Sequence, residues 1–255
     1  MEIIFIGTGS GKISLDRFHT SLLITESDYN LLIDAGDGIS RALLSSKVHV
    51  NSIDSILISH THADHFSGIT SLLTQMKIEG RTNPLNIFIH ASFSDFLKNF
   101  INASFLFQET IRFELNILEY EFDRSFMLEN NLEILPRQNS HIQNKDDLKN
   151  YNWLEFTSSS FMIWNNSFNI FYTADIGSKN DLFIFNDFSI DYIITEATHI
   201  TFSQIVETVK IINPKQCYLV HINDEKLLKN EIDKLPSENK CDFQLTFDSM
   251  RVILP

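Results

Sequence analysis

Residues 55–58 form a short apolar run that leads directly into Ser59-His60-Thr61-His62-Ala63-Asp64-His65. From Phe66 onward Ile69, Leu72, Leu73 and Met76 recur at helical spacing. A buried strand, a polar turn crowded with imidazoles and a helix therefore follow one another in a single segment. That order restricts the fold. The strand belongs inside a sheet, and the turn belongs at its end, where sheet scaffolds usually assemble their sites.

Short apolar runs alternating with helical patterns fill the rest of the chain. Strands are expected at residues 2–6, 20–25, 31–34, 86–89, 111–118, 131–135, 191–195, 216–220, 242–246 and 251–254. The runs 161–164 and 168–173 flank Asn165-Asn166, a hairpin signal. Helices are expected at 38–45, 66–79, from Phe93 through Ile101, at 202–212 and at 225–235. Residues 137–152 are polar and read as loop. With no linker, repeat or low-complexity segment, the order fits one domain over residues 1–255, with sheets packed between helices.

Acidic residues outnumber basic ones 33 to 20, a formal charge of −13. Non-specific binding of nucleic acid normally uses a basic surface, so the balance argues against a large polyanion as partner. A local basic patch or bound cations can reverse the field at one site. No apolar run approaches the ~18 residues of a membrane span, and no membrane partner is expected. The start, MEIIFIGTGSG, reads as a first strand and not as a signal peptide. Cys217 and Cys241 lie far apart without CxxC spacing and read as reduced thiols. A cytoplasmic protein is expected.

Imidazole and carboxylate are the usual protein ligands of zinc, manganese and iron. His60 and His62 alternate along an extended loop and point the same way. Asp64 and His65 follow as the chain turns into the next helix, so they can face a second ion. Further candidates end predicted strands: His141 after the run 132–135 and a polar loop, Asp175 in IFYTADIG, and His221 in CYLVHIND. His90, at the end of NIFIH, rivals His141, while His19 and His49 read as surface residues. The plain alternatives are a helix-capping turn for the cluster, and ordinary loop or strand-end residues for the rest.

H-x-H-x-D-H after a strand, a distant histidine, an aspartate after a strand and a final histidine resemble the metallo-β-lactamase superfamily. GTGSG at 7–11 and LLIDAGDG around Asp34 match that family's first motifs, so the resemblance spans nearly the whole chain. It implies an α/β (α+β) fold, the four-layer αββα sandwich. It also implies two divalent ions, zinc first and manganese or iron as alternatives. His60, His62 and His141 would hold one ion, Asp64, His65 and His221 the other, and Asp175 would bridge them. Such a pair, about 3.5–4 Å apart, acidifies a shared water toward a pKa of ~7 and clamps the attacked group. Metal-dependent hydrolysis by a dinuclear site is the activity implied. Asp34 would tie loops together through backbone amides, and Asp37 reads as structural. The 7–11 loop matches neither P-loop nor GxGxxG spacing and reads as a tight turn.

TEATH at 195–199 resembles the ribonuclease Z branch, as does GTGSG…LLIDAGDGISRALL. A histidine just after this motif is implicated in catalysis in that branch, and His199 stands at the matching place. It would protonate the leaving oxygen or orient the scissile phosphate, with Glu196 or Asp64 holding its tautomer. The chain also departs from the branch. No Gly/Pro-rich substrate arm is evident, and only 33 residues (142–174) separate His141 from Asp175. Tyr172-Thr173-Ala174 stands where an acidic residue is expected. A compact phosphodiesterase for a small nucleotide or other small diester is the resulting expectation, resembling arm-less relatives of ribonuclease Z. The alternatives are tRNA 3′-processing endoribonuclease activity on an RNA 3′ end, hydrolysis of a lactone, thioester or β-lactam, and a non-enzymatic metal-binding protein of the same fold. Flavodiiron chemistry is disfavoured, because such relatives place a carboxylate where His62 stands. The phenylalanine-rich stretch 93–107 is core by default; a substrate lid or a homodimer surface are its other readings.

Overall fold

Among the residues described by the computed structural model, 1–143, 146–151, 153–240 and 243–255, the apolar runs pair into two seven-stranded sheets. The chain divides into two compact units, Met1–Glu121 with Phe247–Pro255, and Phe122–Thr246.

The first unit begins with β1 (Glu2–Gly7), β2 (Ser21–Glu26) and β3 (Tyr29–Ile33), antiparallel neighbours. There follow α1 (Ile39–Ser45), β4 (Ser55–Leu57), α2 (Ala63–Phe66), α3 (Ile69–Ile78), β5 (Leu85–His90), α4 (Ser94–Ala103) and β6 (Leu115–Tyr120). From β3 to β6 the pairing is parallel, each crossover carrying helix. Ile4, Leu23, Leu32, Ile56 and Ile87 of the strands pack with Ile69, Leu72, Leu73 and Met76 of α3 and with Leu97 and Ile101 of α4. Alternate strand residues such as Ile3, Phe5, Ile24 and Ile33 are fully buried too. That is why these strands read as continuous apolar runs instead of alternating.

Three local expectations shift. The helix expected over 66–79 is two helices, because Gly68 N donates to Ala35 O at 2.9 Å and Ala35 N to His65 O at 2.8 Å. The loop after β3 thus claims the backbone at the break. The strand expected over 111–118 starts only at Leu115. Gln108 takes the backbone groups ahead of it, its amide donating to Phe113 O at 2.9 Å and its carbonyl accepting from Leu115 N at 3.1 Å. In the stretch 93–107, Phe93, Leu97, Ile101 and Leu106 are core, whereas Phe96, Phe105 and Phe107 are exposed.

The second unit opens with β7 (Phe126–Met127), β8 (Glu133–Gln138), β9 (Ser159–Trp164) and β10 (Asn169–Tyr172), all antiparallel. The β9–β10 hairpin closes as expected. Asn165 Oδ1 accepts from Ser167 N and Phe168 N at 2.8 and 3.0 Å. Then come β11 (Tyr192–Glu196), α5 (Phe202–Ile212), β12 (Gln216–Val220), α6 (Glu225–Asp233), α7 (Ser237–Lys240) and β13 (Phe243–Leu245), with β10 to β13 parallel. Thr201 starts α5 through a reciprocal capping box with Gln204. Met162, Phe171, Ile193, Ile205, Val209 and Leu219 are among the core residues. The chain ends in β14 (Met250–Ile253), which joins the first sheet beside β1.

Within the expected loop 137–152, Arg137 and Gln138 extend β8, and a short helical turn forms at Asp146–Tyr151. Asn152, Cys241 and Asp242, the first residue of the strand expected over 242–246, lie outside the described residues; Cys217 is buried in β12. Among the described residues no helix is long and apolar enough to cross a membrane.

Arg137 ties β8 to the segment before β11. Its Nη1 and Nη2 donate to the two oxygens of Asp187 at 2.5 and 2.7 Å, and its guanidinium lies 4.9 Å from the Phe185 ring centroid. The Arg137 hydrogen bonds hold the Asp187 carboxyl below its ordinary value. The unfolded chain therefore takes up the proton more readily than the folded one. The pair's stabilisation is full above the ordinary carboxylate range and fades as pH falls through the lowered folded value. Asp187 is half exposed, so the effect stays under about 1 kcal/mol. Asp187→Asn should flatten the acid limb of a Tm-against-pH curve, and an unchanged acid limb would contradict this assignment.

Candidate active site

Nearly all of the expected site residues lie at or just beyond the C-terminal ends of strands, and the parallel strands β4, β10, β11 and β12 carry most of them. Open sheets gather ligand-binding groups at such ends. Each unit carries its own cluster.

In the first unit the chain leaves β4 through Ile58 and Ser59, runs extended through His60 and His62, and turns into α2. His60 and His65 are buried, Asp64 is half-buried and His62 is exposed. His60 Nε2 lies 3.1 Å from His62 Nδ1, and the His60 and His65 ring centroids are 4.2 Å apart. Asp34, just after β3, holds this arrangement from below. It is fully buried with φ +63°. Its Oδ1 accepts from Ser59 N at 2.8 Å, and its Oδ2 accepts from Ser59 Oγ and faces His65 Nδ1, both at 2.8 Å. A carboxylate at Nδ1 keeps the proton there and turns the Nε2 lone pair outward, as metal-binding histidines are commonly oriented. His65 Nε2 points at Asp64 Oδ2, 3.4 Å away. Gly36 is required by close approach, because a Cβ there would sit 1.8 Å from Asp64 O. The expected loop-tying role of Asp34 is visible, and it extends to an imidazole and to Ser59.

In the second unit Asp175 is the centre. It follows β10 through Thr173 and Ala174, the latter at φ +50°, and is almost fully buried. One oxygen faces each of two histidines: Oδ1 lies 3.1 Å from His221 Nδ1, and Oδ2 lies 3.6 Å from His141 Nε2. His221 follows β12 at φ +54°. His141 follows β8, its N–H donating to Asn139 Oδ1 at 3.0 Å. His199 joins them, with ring centroids 4.7 Å from His141 and 5.4 Å from His221. His141, Asp175 and His199 each offer a ligand atom within 4.8 Å of the others.

Glu196 ends β11 fully buried, and its Oε2 accepts from Thr198 N and His199 N at 2.5 and 2.9 Å. Its Oε1 lies 3.5 Å from His199 Nδ1. Burial pushes the Glu196 carboxyl up, and the His199 hydrogen bond opposes that shift. Thr198 Oγ1 donates to His221 O, tying the TEATH loop to the loop after β12. Of the two carboxylates expected beside His199, Glu196, in the same unit, faces it.

The remaining histidines lie apart from these clusters, and one expectation changes. His90, the rival of His141, caps a turn instead, with Nδ1 2.7 Å from Ser92 Oγ. His49 is exposed, as expected, and caps a turn and reaches Glu79. His19 is half-buried, not a surface residue, and its Nδ1 lies 2.8 Å from Ser10 O. Ser59 and Asp181 are polar residues that sequence reasoning passed over. Ser59 immediately precedes the histidine motif, and Asp181 sits in an S-x-x-D helix-start pattern, Ser178 to Asp181.

The donor set in each unit, imidazoles and carboxylates converging, with Nδ1 of His60 and of His65 engaged by Ser59 and Asp34, suits a divalent cation. A family model described as Anti-Pycsar protein Apyc1 matches residues 1–238. Ribonuclease Z of Thermoplasma volcanium is 34% identical over 128 residues, 50% of this chain and 41% of that protein. The chain thus spans less than half the length of such curated relatives. Among solved structures, the metallo-beta-lactamase fold protein YhfI from Bacillus subtilis matches with TM-score 0.75 and 19% identity over 98% of both chains. Human tRNase Z, short form, matches with TM-score 0.75 and 18% identity over 100% of both. The expected α/β fold of metallo-β-lactamase type is borne out.

Proposed function

Because the chain belongs to the family described as Anti-Pycsar protein Apyc1, we propose that it is a metal-dependent phosphodiesterase for a small nucleotide diester, and that it shares that family's anti-Pycsar role. The observation that carries the reading is Asp175, whose two oxygens face two different histidines. A carboxylate so placed suits a bridging ligand.

In this reading residues 1–255 act as one hydrolase domain, cytoplasmic and working as a homodimer. His60, His62 and His141 hold one ion, Asp64, His65 and His221 hold a second, and Asp175 serves both. Zinc suits the imidazole-rich set best, with manganese or iron as substitutes. When bound, such a pair supplies an acidified water and neutralises charge on the phosphoryl oxygens. The chain's own residues do the rest. Asp34 keeps the His65 proton on Nδ1. Glu196 keeps a proton on His199 Nδ1, so that Nε2 can deliver another to the leaving oxygen. His199 is about one-third exposed, which leaves room for a substrate oxygen to reach it.

RNA 3′ processing is the second reading, and the identity to ribonuclease Z favours it. The formal charge of −13 weighs against a large RNA. The zinc-loaded protein should be assayed side by side on bis(p-nitrophenyl) phosphate, cyclic nucleotides, pre-tRNA and nitrocefin. Hydrolysis of the small diesters is expected, with His62→Ala losing both bound metal and turnover. Turnover of nitrocefin alone would overturn the proposal, efficient pre-tRNA cleavage would favour the second reading, and full activity of metal-free His62→Ala would remove the metal from the mechanism.

A further inference from the structure

Asp181 is buried, 6% exposed, in the short helical turn Lys179–Phe183 that follows the Asp175 loop. Its carboxylate accepts four hydrogen bonds, all from neutral donors. Oδ1 takes Ser140 N at 3.1 Å. Oδ2 takes Ser140 Oγ at 2.6 Å, Gly177 N at 2.9 Å and Ser178 N at 3.0 Å. A helix-start residue at this position needs only the bond to Ser178 N. The two bonds to Ser140 come from 41 residues away, from the residue directly before His141. The bond to Gly177 comes from two residues beyond Asp175. The two loops also touch directly, since a Cβ on Gly177 would lie 2.1 Å from Ser140 O.

We infer that Asp181 is a positioning residue: its carboxylate clamps the His141 loop to the Asp175 loop and so fixes the separation of these two groups for metal capture. The inference rests on the metal reading above. Neither loop is held by regular pairing at this point, because β8 ends at Gln138 and β10 at Tyr172. Asn139 Nδ2 to Thr173 O and Ser140 Oγ to Ser178 Oγ join the loops only at 3.4 Å, and the buried carboxylate supplies the shorter cross-links, at 2.6 and 3.1 Å.

The two oxygens make the inference separable from a capping role. In Asp181→Asn the amide oxygen can replace Oδ2 and keep Gly177 N and Ser178 N. The NH2 group then meets Ser140 N–H, donor against donor, so the Ser140 N bond is lost while Ser140 Oγ still donates to the retained oxygen, and the grip on the His141 loop is loosened without touching the cap. Ser140→Ala removes the Oγ bonds to Asp181 and Ser178 and keeps the bond from Ser140 N. The test is zinc affinity of the stripped full-length protein, titrated in competition with a chromophoric chelator. The visible spectrum of the cobalt(II) form is read alongside. Asp191→Ala is the control. It removes bonds to Asn169 N and Lys215 at the far end of β11 and should lower Tm without touching the site.

Expected are zinc binding weakened about 10–100-fold in Asp181→Asn, the usual range for residues that orient metal ligands, a smaller loss in Ser140→Ala, an altered cobalt spectrum in both, and wild-type affinity in Asp191→Ala. If Asp181→Asn binds zinc like the wild type, or Asp191→Ala loses as much affinity, the clamp is overturned. Should Asp181→Asn fail to fold, unchanged affinity in Ser140→Ala overturns it. A wild-type protein that binds no zinc defeats the metal reading and the clamp together, whereas a zinc-binding wild type with an unaltered Asp181→Asn removes the clamp alone.

Discussion

Asp175→Ala should reverse the sign of its effect on stability between metal-free and zinc-loaded protein. Without metal, the aspartate is a nearly fully buried carboxylate whose neighbours are imidazoles of His141 and His221. Removing it takes away a desolvated charge along with two contacts, and these changes offset each other. Tm in chelator should therefore stay level or rise slightly. With zinc at about 1,000 times its dissociation constant, the wild type gains ~4 kcal/mol from binding. The variant should forfeit most of that gain and melt well below the wild type. Zinc per chain should fall by at least one equivalent. If the bound ions lower the barrier by ~4 kcal/mol through Asp175, kcat/KM falls by about a thousandfold. Thermal melts with and without zinc, metal analysis and steady-state kinetics read all three. A destabilisation of equal size in chelator and in zinc would assign Asp175 a purely structural role.

The half of the site that could be read from sequence is the half whose partners are neighbours in the chain. His60, His62, Asp64 and His65 declare themselves by spacing after an apolar strand, and the helical pattern at Ile69, Leu72, Leu73 and Met76 places the element that follows. Strands buried on both faces were equally plain, since continuous apolar runs have few other uses. What local pattern could not carry was anything settled by residues far apart. Gly68 breaks a helix because the loop after β3 binds there. Gln108 delays β6 by occupying backbone groups seven residues ahead. Pro136 looks like the end of a strand, yet β8 runs through it: β7 stops short of it, and Asp123 N donates to its carbonyl at 2.9 Å. Asp181 reads as a helix start, and only the fold brings Ser140 to it from 41 residues upstream. Asp34 could be assigned a structural task by resemblance, but its hold on His65 Nδ1 needed the folded geometry.

His199→Ala should separate proton delivery from metal binding by its dependence on the leaving group. His199 lies near His141 and Asp175, within range of acting as a further ligand. Its Nδ1, however, faces Glu196 Oε1, and its N–H is fixed by Glu196 Oε2. A ring held from behind in this way is suited to present Nε2 as a donor. General acid catalysis is typically worth 10²–10⁴-fold, roughly 3–5 kcal/mol, and that is the loss in kcat expected for a diester whose leaving group is a ribose hydroxyl. A p-nitrophenolate leaves without protonation, so bis(p-nitrophenyl) phosphate should be hydrolysed by the variant with no more than a small loss. Zinc content should remain that of the wild type. Glu196→Gln should resemble a weaker His199→Ala, because the ring keeps its place but loses the acceptor that holds its Nδ1 proton. The comparison is decisive in both directions. Equal losses on the two substrates, accompanied by lost zinc, would make His199 a metal ligand; a loss confined to the poor leaving group would make it the acid.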